Sequence, residues 1–292
     1  NPLTVLKLLY SIHQIIKNNE ITIVHTHHRM AAFYIRLLKL FNSKLKHVYT
    51  AHNVFKDKLP LYRFALKNAK SVAVGEAVNK NLKEDVGITD SSVIYNGVIF
   101  KETDNKVDEI VNSDGIKLGC IARLSEQKGL IYLIEAMSLL TVKDIRLFIV
   151  GDGELRNELE NKVKELHLQD SVTFLGYRKD IVECINSFDF CVLPSVFEGF
   201  GLVAIEAFMN SKTLVATDIP GLNEVVTNEN GILVPVKDPI ALAGAIDKLA
   251  TDVALRNSLA FQAKKTYDEK FSYPMFLENY RALYREIQGE PK

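Results

Sequence analysis

Short apolar runs alternate with longer segments of helical spacing along the second half of the chain. The runs are rich in β-branched residues and predict strands at 116–122, 145–150, 172–175, 189–193, 213–216 and 231–236. Apolar residues recur with helical spacing at 128–140, 154–167, 178–187, 201–210 and 238–250. Strands this apolar are covered on both faces, so the pattern predicts a mainly parallel sheet between helices, a doubly wound α/β domain.

The first half repeats the pattern less completely. It predicts strands at 21–25, 47–51, 71–75 and 92–95 and helices at 3–18, 29–41, 60–68 and 76–85. Residues 101–114 are polar and carry no periodic pattern, which places a domain boundary there. Two helices close the chain, at 252–268 and 274–287, and Pro274 prevents one continuous helix. We therefore expect domains at 1–113 and 114–270 and a final segment, 271–292, packing back toward the first.

The composition is that of an ordinary globular protein. The 292 residues are 47% apolar and carry equal numbers of acidic and basic side chains, which excludes disorder and collagen. No apolar run is long enough to span a membrane and no secretory signal is visible, so we expect a cytoplasmic protein. Cys120, Cys184 and Cys191 lie in apolar stretches and are expected to be buried small hydrophobes.

The balanced total conceals a charge asymmetry. Residues 1–100 hold 14 Lys and Arg against 6 Asp and Glu, leaving net −8 for the rest. A basic half attracts an anionic membrane or a polyphosphate, and no nucleic-acid motif accompanies the charge. The basic, apolar segment 29–46 has two open interpretations: a core helix with a solvated edge, or a surface that rests on anionic lipid.

Candidate chemistry lies just after the predicted strands, where open α/β sheets bind ligands. Arg123 and Lys128 follow the first strand of the second half and suit a diphosphate, although they are also compatible with two solvated surface cations. Glu198 precedes a helix that carries Glu206 in its second turn. Glycines around Phe200 let backbone amides approach a ligand, whereas the simpler alternative makes Glu198 a cap and Glu206 a solvated residue.

Two further patterns are weaker. The segment that starts at Gly151 resembles G-x-G-x-x-G, but Arg156 replaces the third glycine, which argues against a dinucleotide site. His25 and His27 share a strand face, yet no acidic or thiol ligand is beside them, so we expect no metal. His13, His47 and His167 have no site context and are expected at the surface or half-buried. His52, beside Asn53, either stabilises a turn or acts in function, and we favour function.

Taken together, these motifs resemble one family. Arg123-x4-Lys128 and Glu198-x7-Glu206, with Gly151-Asp-Gly between them, are similar to the retaining nucleotide-sugar glycosyltransferases of the GT-B fold, family four. The segments at 23–27, 49–53 and 95–98 resemble parts of its first domain. The resemblance implies two Rossmann-like doubly wound domains that face each other across a cleft. It also implies that the first strands of the N-terminal domain, including a glycine-rich loop, are missing.

The resemblance also implies residue roles. Arg123 and Lys128 would hold the donor diphosphate, Glu206 the ribose hydroxyls and Glu198 the sugar, and His52 would face the sugar from the acceptor domain. The residues implied for the donor site are Arg123, Lys128, Gly151, Tyr177, Arg178, Glu198, Phe200, Gly201, Leu202 and Glu206; the candidate catalytic residues are Glu198, His52, Arg123 and Lys128.

The implied function is retaining, metal-independent transfer of a sugar from a nucleotide-diphosphate sugar, UDP being the expected nucleotide, with no cofactor. The acceptor would be a glycan or a lipid-linked saccharide in bacterial surface polysaccharide synthesis, reached by peripheral contact with the inner face of the plasma membrane. The alternatives are a nucleotide-sugar epimerase of similar fold and a non-catalytic nucleotide-sugar-binding subunit.

Overall fold

The computed structural model describes residues 2–55, 57–99 and 103–289, which form two compact units. The first unit holds the described residues up to Asn96 and from Phe276 onward, and the second runs from Gly97 to Met275. Both are layered α/β structures built on a parallel sheet.

The first unit has a four-stranded sheet in the order β1-β2-β3-β4, with every neighbouring pair parallel. Its elements in chain order are α1 (Pro2–Asn18), β1 (Ile23–Thr26), α2 (Arg29–Lys39), β2 (Lys46–Ala51), α3 (Leu59–Leu66), β3 (Lys70–Ala73), α4 (Glu76–Asn81) and β4 (Ser91–Val93). The central strand β2 is buried from its second residue onward, because helices cover both faces of a parallel sheet.

The second unit has six parallel strands in the order β10-β9-β8-β5-β6-β7. Its elements are α5 (Asp108–Val111), β5 (Ile116–Ile121), α6 (Leu130–Leu139), β6 (Ile145–Val150), α7 (Arg156–Glu165), β7 (Val172–Gly176), α8 (Ile181–Ser187), β8 (Phe190–Leu193), α9 (Leu202–Met209), β9 (Leu214–Thr217), β10 (Ile232–Val234), α10 (Pro239–Thr251) and α11 (Val253–Thr266). The order reverses between β5 and β8, where doubly wound sheets open a ligand crevice. The predicted doubly wound α/β architecture is confirmed.

The β5–β8 junction is tightly packed at Gly119, which pairs with Cys191. A Cβ atom at Gly119 would lie 2.0 Å from a ring carbon of Phe188, so only glycine fits beneath that fully buried ring. Cys191 is buried, as are Cys120 and Cys184, which confirms their predicted burial.

The division between the units lies earlier than the expected boundary at 113/114. Ile110 in α5 is fully buried, and the Val107 N–H donates a 2.8 Å hydrogen bond to Ser187 Oγ in α8. These contacts fix the segment to the second unit. The first two residues of the expected linker, 101 and 102, lie outside the described residues.

The closing helix α12 (Tyr273–Gln288) belongs to the first unit from Phe276 onward. Tyr280 and Leu283 are buried against Val48 and Val72 of the four-stranded sheet. The Tyr280 hydroxyl also lies 2.9 Å from Thr50 Oγ1. The last helix of the chain therefore covers one face of the first sheet.

Across residues 2–55, 57–99 and 103–289, no helix combines the length and the apolar character that crossing a bilayer requires.

The packing of α12 predicts that Leu283→Ala destabilises the first unit by about 2–4 kcal/mol, because it leaves a cavity against the sheet. Hydrogen exchange read at the backbone amides of Val48 and Val72 measures the loss. Arg281→Ala, at an exposed position of the same helix, is the matched control. Equal protection in the two variants would contradict the role given to α12.

Candidate functional site

A crevice of about 600 Å³ opens at the carboxyl edge of the second sheet, beside the reversal of strand order. Five residues expected at the donor site line it: Arg123, Lys128, Gly151, Tyr177 and Arg178. They follow β5, β6 and β7, because the loops after neighbouring parallel strands meet at one edge. Lys179 and Val203 also line the crevice, and neither was predicted from the sequence.

Two glycines with positive φ bring the loops of the crevice together. A Cβ atom at Gly151 would lie 1.9 Å from the Ala122 carbonyl oxygen, and one at Gly129 would lie 2.1 Å from the Pro194 carbonyl oxygen. Their φ angles are 136° and 64°, in the region that favours glycine. Larger residues would separate these loops, so the shape of the crevice depends on both positions.

Lys128 forms an ion pair with Glu198 that joins the turn after β5 to the loop after β8. Only 21% of the lysine side chain and 13% of the glutamate side chain are exposed. Ser195 Oγ donates a 2.9 Å hydrogen bond to the same carboxylate oxygen of Glu198. Gln127 strengthens the connection, since its carbonyl accepts from the Val196 N–H at 2.8 Å. The sequence motifs did not indicate Ser195 or Gln127.

Two of the three other cations of the crevice, Arg123 and Arg178, have acidic partners on the surface, and the third, Lys179, is exposed. Arg123 is 72% exposed and contacts Glu154 at 3.1 Å, and Arg178 pairs with Asp180. Each guanidinium has five N–H donors, so both retain hydrogen-bonding capacity for a ligand. The acidic partners hold the cations in place without removing them from the crevice.

Glu206 lies on α9, one helical turn after Val203, which lines the crevice. Burial raises the pKa of this carboxyl to about 7. Among the described residues, no hydrogen bond or ion pair of the Glu206 carboxylate is found. At neutral pH the group is therefore divided between its protonated and ionised forms.

The segment that starts α9 combines a buried aromatic ring with a tight turn at a glycine. Phe200 is buried, with its ring edge-on to Phe271 at 6.0 Å between centroids. Gly201 has φ 50°, and a Cβ atom there would lie 2.6 Å from a Leu222 methyl carbon. Leu202 is exposed and begins the helix. None of these three residues lines the crevice, and neither do Glu198 and Glu206. Glu198 is connected to the crevice through its ion pair with Lys128, and Glu206 lies one helical turn after Val203.

In the first unit, histidines gather at the carboxyl ends of β1 and β2. His27 Nδ1 lies 3.0 Å from His52 Nε2, and the two rings are stacked. His25 stacks on His27 with 4.3 Å between ring centroids. Burial, followed by the neighbouring His27, lowers the pKa of His52. His52 is thus held by a partner from the adjacent strand.

Both ring nitrogens of His25 are engaged by hydroxyl groups. Nδ1 lies 2.7 Å from the Tyr284 hydroxyl and Nε2 lies 2.8 Å from Thr50 Oγ1. Burial and the neighbouring histidines lower the pKa of His25 to about 4, so the ring is neutral at physiological pH. Within the described ranges, no group of three or more His, Cys, Asp or Glu side chains is arranged to hold a metal ion.

His47 differs from expectation, because it is buried rather than half-buried or exposed. Its Nε2 lies 2.8 Å from Thr26 Oγ1, and burial lowers its pKa to about 4. It lies on β2, whose two faces are both covered.

The chain has two α/β units, each built on a parallel sheet, and the second has a cationic crevice at its strand ends. This is the architecture of the GT-B fold. A glycosyltransferase structure from Rickettsia africae matches with a TM-score of 0.85 at 26% identity, over 99% of this chain and 82% of that one. The sequence model of Glycosyl transferases group 1 matches residues 101–266, and that of Glycosyltransferase Family 4 matches residues 1–101. The chain belongs to the Glycosyl transferases group 1 family.

Two curated relatives extend the comparison. An uncharacterised glycosyltransferase of Methanocaldococcus jannaschii is 34% identical over 216 residues, which are 67% of this chain and 55% of that protein. The Escherichia coli UDP-Gal:alpha-D-GlcNAc-diphosphoundecaprenol alpha-1,3-galactosyltransferase is 28% identical over 86% of this chain and 72% of its own length. The chain thus spans about half of the first relative and nearly three quarters of the second.

The raised pKa of Glu206 predicts a pH-dependent gain in stability for Glu206→Gln. The folded state favours the protonated acid, so its contribution is present below the unfolded pKa of about 4.5 and is lost as the pH rises through about 7. Glutamine should therefore raise the free energy of unfolding at pH 8, by on the order of 1–3 kcal/mol, and leave it unchanged near pH 4.5. Urea unfolding at both pH values measures the difference, and an equal effect at both would refute the assignment.

Proposed function

We propose that this chain is the core of a retaining glycosyltransferase that moves a sugar from a nucleotide-diphosphate sugar, a UDP-sugar in particular, to a lipid-linked saccharide of surface polysaccharide synthesis. The crevice carries the proposal, because four cations converge there at the reversal of strand order: Arg123, Lys128, Arg178 and Lys179. A diphosphate matches that charge and that position. The E. coli relative, whose name includes a UDP-linked donor and a diphosphoundecaprenol acceptor, supports the choice of substrates.

The cations assist bond cleavage in this proposal. Loss of the nucleotide leaves negative charge on the departing diphosphate and positive charge on the sugar ring. Fixed positive groups at the diphosphate stabilise that transition state more than the ground state. The Lys128 ammonium has three N–H donors, so it can keep Glu198 and still bind phosphate oxygens. Arg123 and Lys128 thus supply the charge, and we propose that no metal ion is required.

Two carboxylates orient the donor. Glu206 accepts hydrogen bonds from the ribose hydroxyls, and Glu198 contacts the sugar beside Lys128. The first N–H groups of a helix lack an acceptor within the helix, so those at the start of α9 can bind ligand oxygens. Backbone groups near Tyr177 and Arg178 contact the base.

Retention of configuration follows when the acceptor attacks the face that the nucleotide leaves. The leaving phosphate then takes the acceptor proton, and no dedicated protein base is needed. His52 contributes on the acceptor side, and His27, 3.0 Å from it, fixes the orientation of its ring.

Peripheral contact with an anionic membrane belongs to the same proposal. Ala32, Ile35 and Leu38 are buried, so the body of α2 is a core helix. Beyond its end, Phe41 is 87% exposed, with the exposed Lys44 nearby in the chain. An aromatic ring next to basic side chains suits the boundary between lipid headgroups and acyl chains.

The role of Lys128 predicts that Lys128→Ala lowers kcat by about 10² to 10³, the loss typical of one transition-state contact. The assay measures free nucleotide released from UDP-sugars in the presence and absence of a lipid-linked saccharide. Lys164→Ala, exposed on α7, is the control and should keep full activity. Release that requires the acceptor identifies a transferase, and unchanged turnover in Lys128→Ala would remove the diphosphate argument.

The role of Glu206 predicts that Glu206→Ala weakens binding of UDP-glucose by on the order of tenfold to a hundredfold, the cost of hydrogen bonds to a charged group. The carboxylate must be ionised to accept hydrogen bonds from both ribose hydroxyls. The affinity of the wild type for UDP-glucose should therefore fall roughly tenfold from pH 8 to pH 6. The variant should lack this dependence. Calorimetry measures both, with Glu158→Ala on α7 as the control; a pH dependence retained in Glu206→Ala would exclude the ribose role.

A further inference from the structure

The first unit contains a separate cavity of about 120 Å³ between α2 and α3. Its lining is mixed: Met30 and Phe33 on α2 and Leu61 and Ala65 on α3 supply the apolar part, and the polar part comes from His28, Arg29, Lys58 and Tyr62. The volume is equivalent to on the order of four water molecules, enough for the end of a branched hydrocarbon chain.

Two cations line the same cavity. Arg29, the first residue of α2, has its guanidinium carbon 3.8 Å from the centroid of the Phe55 ring and one N–H group 3.0 Å from Asp57 Oδ1. Lys58 is exposed and caps α3 with φ 52°, a left-handed conformation that costs a non-glycine residue on the order of 1 kcal/mol. Lys58 forms no ion pair in the described part of the chain, but the neighbouring Asp57 carboxylate interacts with both cations: its hydrogen bond from Arg29, and to a smaller extent Lys58, lower the pKa of Asp57. Strained residues of this kind cluster at functional sites.

Apolar surface continues outward from the cavity. Met30 and Leu61 are each 42% exposed although they line it, and Phe64 on α3 is also exposed. A ligand that fits this surface needs an anionic group for the cations and an apolar chain for the walls. A free phosphate would leave the apolar part uncovered, and a neutral lipid would bring no further negative charge to Arg29 and Lys58, which share the carboxylate of Asp57.

The cavity lies at the end of the sheet where the histidines gather. Arg29 follows His27 by two residues, and Lys58 follows His52 by six. A sugar attached to a phosphate at Arg29 and Lys58 would therefore be presented near the His27–His52 pair.

We propose that this cavity binds the phosphate and the first apolar units of an isoprenoid-type lipid phosphate, the carrier of the acceptor sugar. The phosphate contacts Arg29 and Lys58 at the rim, and the chain enters between Phe33 and Leu61. The role of the cavity as part of the acceptor site rests on the proposed transferase function, whereas binding of the lipid phosphate does not depend on it.

Calorimetric titration of the full chain with farnesyl diphosphate, below its micellar concentration, tests the proposal. The Lys128→Ala background weakens anion binding in the crevice of the second unit, and a comparison of Lys58→Gln with a distant lysine variant in that background assigns the remaining signal to the first unit. Lys58→Gln should weaken binding by roughly tenfold, the loss of one charge-assisted hydrogen bond. Lys67→Gln, exposed at the opposite end of α3, should change it less than twofold. Leu61→Asn should also weaken binding, through the apolar chain.

Two further ligands separate the sources of affinity. Inorganic diphosphate and farnesol should each bind at least tenfold more weakly than farnesyl diphosphate. Equal binding of inorganic diphosphate would reduce the site to an anion site and overturn the proposal, as would absence of farnesyl diphosphate binding or equal losses in Lys58→Gln and Lys67→Gln. Failure of UDP-glucose binding in the wild type would count against the transferase and would leave this titration valid.

Discussion

The ion pair between Lys128 and Glu198 is the interaction on which the crevice of the second unit depends. It connects loops from β5 and β8, the strands between which the order of the sheet reverses. Further hydrogen bonds to its members stabilise a largely buried pair, and Ser195 supplies one such bond to Glu198. The ammonium of Lys128 keeps unused donors. A ligand oxygen can therefore complete an arrangement that the protein has already ordered.

The charged groups around the crevice differ in how they are balanced. Arg123, Lys128 and Arg178 each have a carboxylate partner, and these carboxylates offset the repulsion between the three cations. Glu206 has its pKa raised by burial instead. Hydrogen bonds donated to the Glu206 carboxylate would favour its ionised form, against the effect of burial.

Much of this arrangement could be predicted from the sequence, because apolar runs identify parallel strands and strand ends identify the ligand edge. Arg123, Lys128, Gly151, Tyr177 and Arg178 lie at that edge and line one crevice, and their binding of a donor stays a prediction. The pairing of Lys128 with Glu198 was not predicted, since it joins residues 70 positions apart through the sheet. The burial of His47 was not predicted either, because it depends on the elements that cover both faces of β2.

The histidine cluster shows the same limit. Spacing alone placed His25 and His27 on one face of a strand, but it could not show that Tyr284 and Thr50 occupy both nitrogens of His25. The residues that decide the chemistry of the ring come from elements 25 and 259 positions away. Local pattern therefore identifies candidate groups, whereas their protonation and partners are properties of the tertiary structure.

Net charge is a poor guide to where cations gather into a crevice in this protein. Residues after 100 carry net −8, yet the cationic crevice lies among them, because local cations and the exclusion of water set the field that a ligand meets. The first unit is basic and its excess charge is spread over exposed side chains, although Arg29 and Lys58 both interact with the Asp57 carboxylate. Such a field acts on anionic surfaces from a distance, up to the screening length, whereas the cations of the crevice act on an anion only at close range.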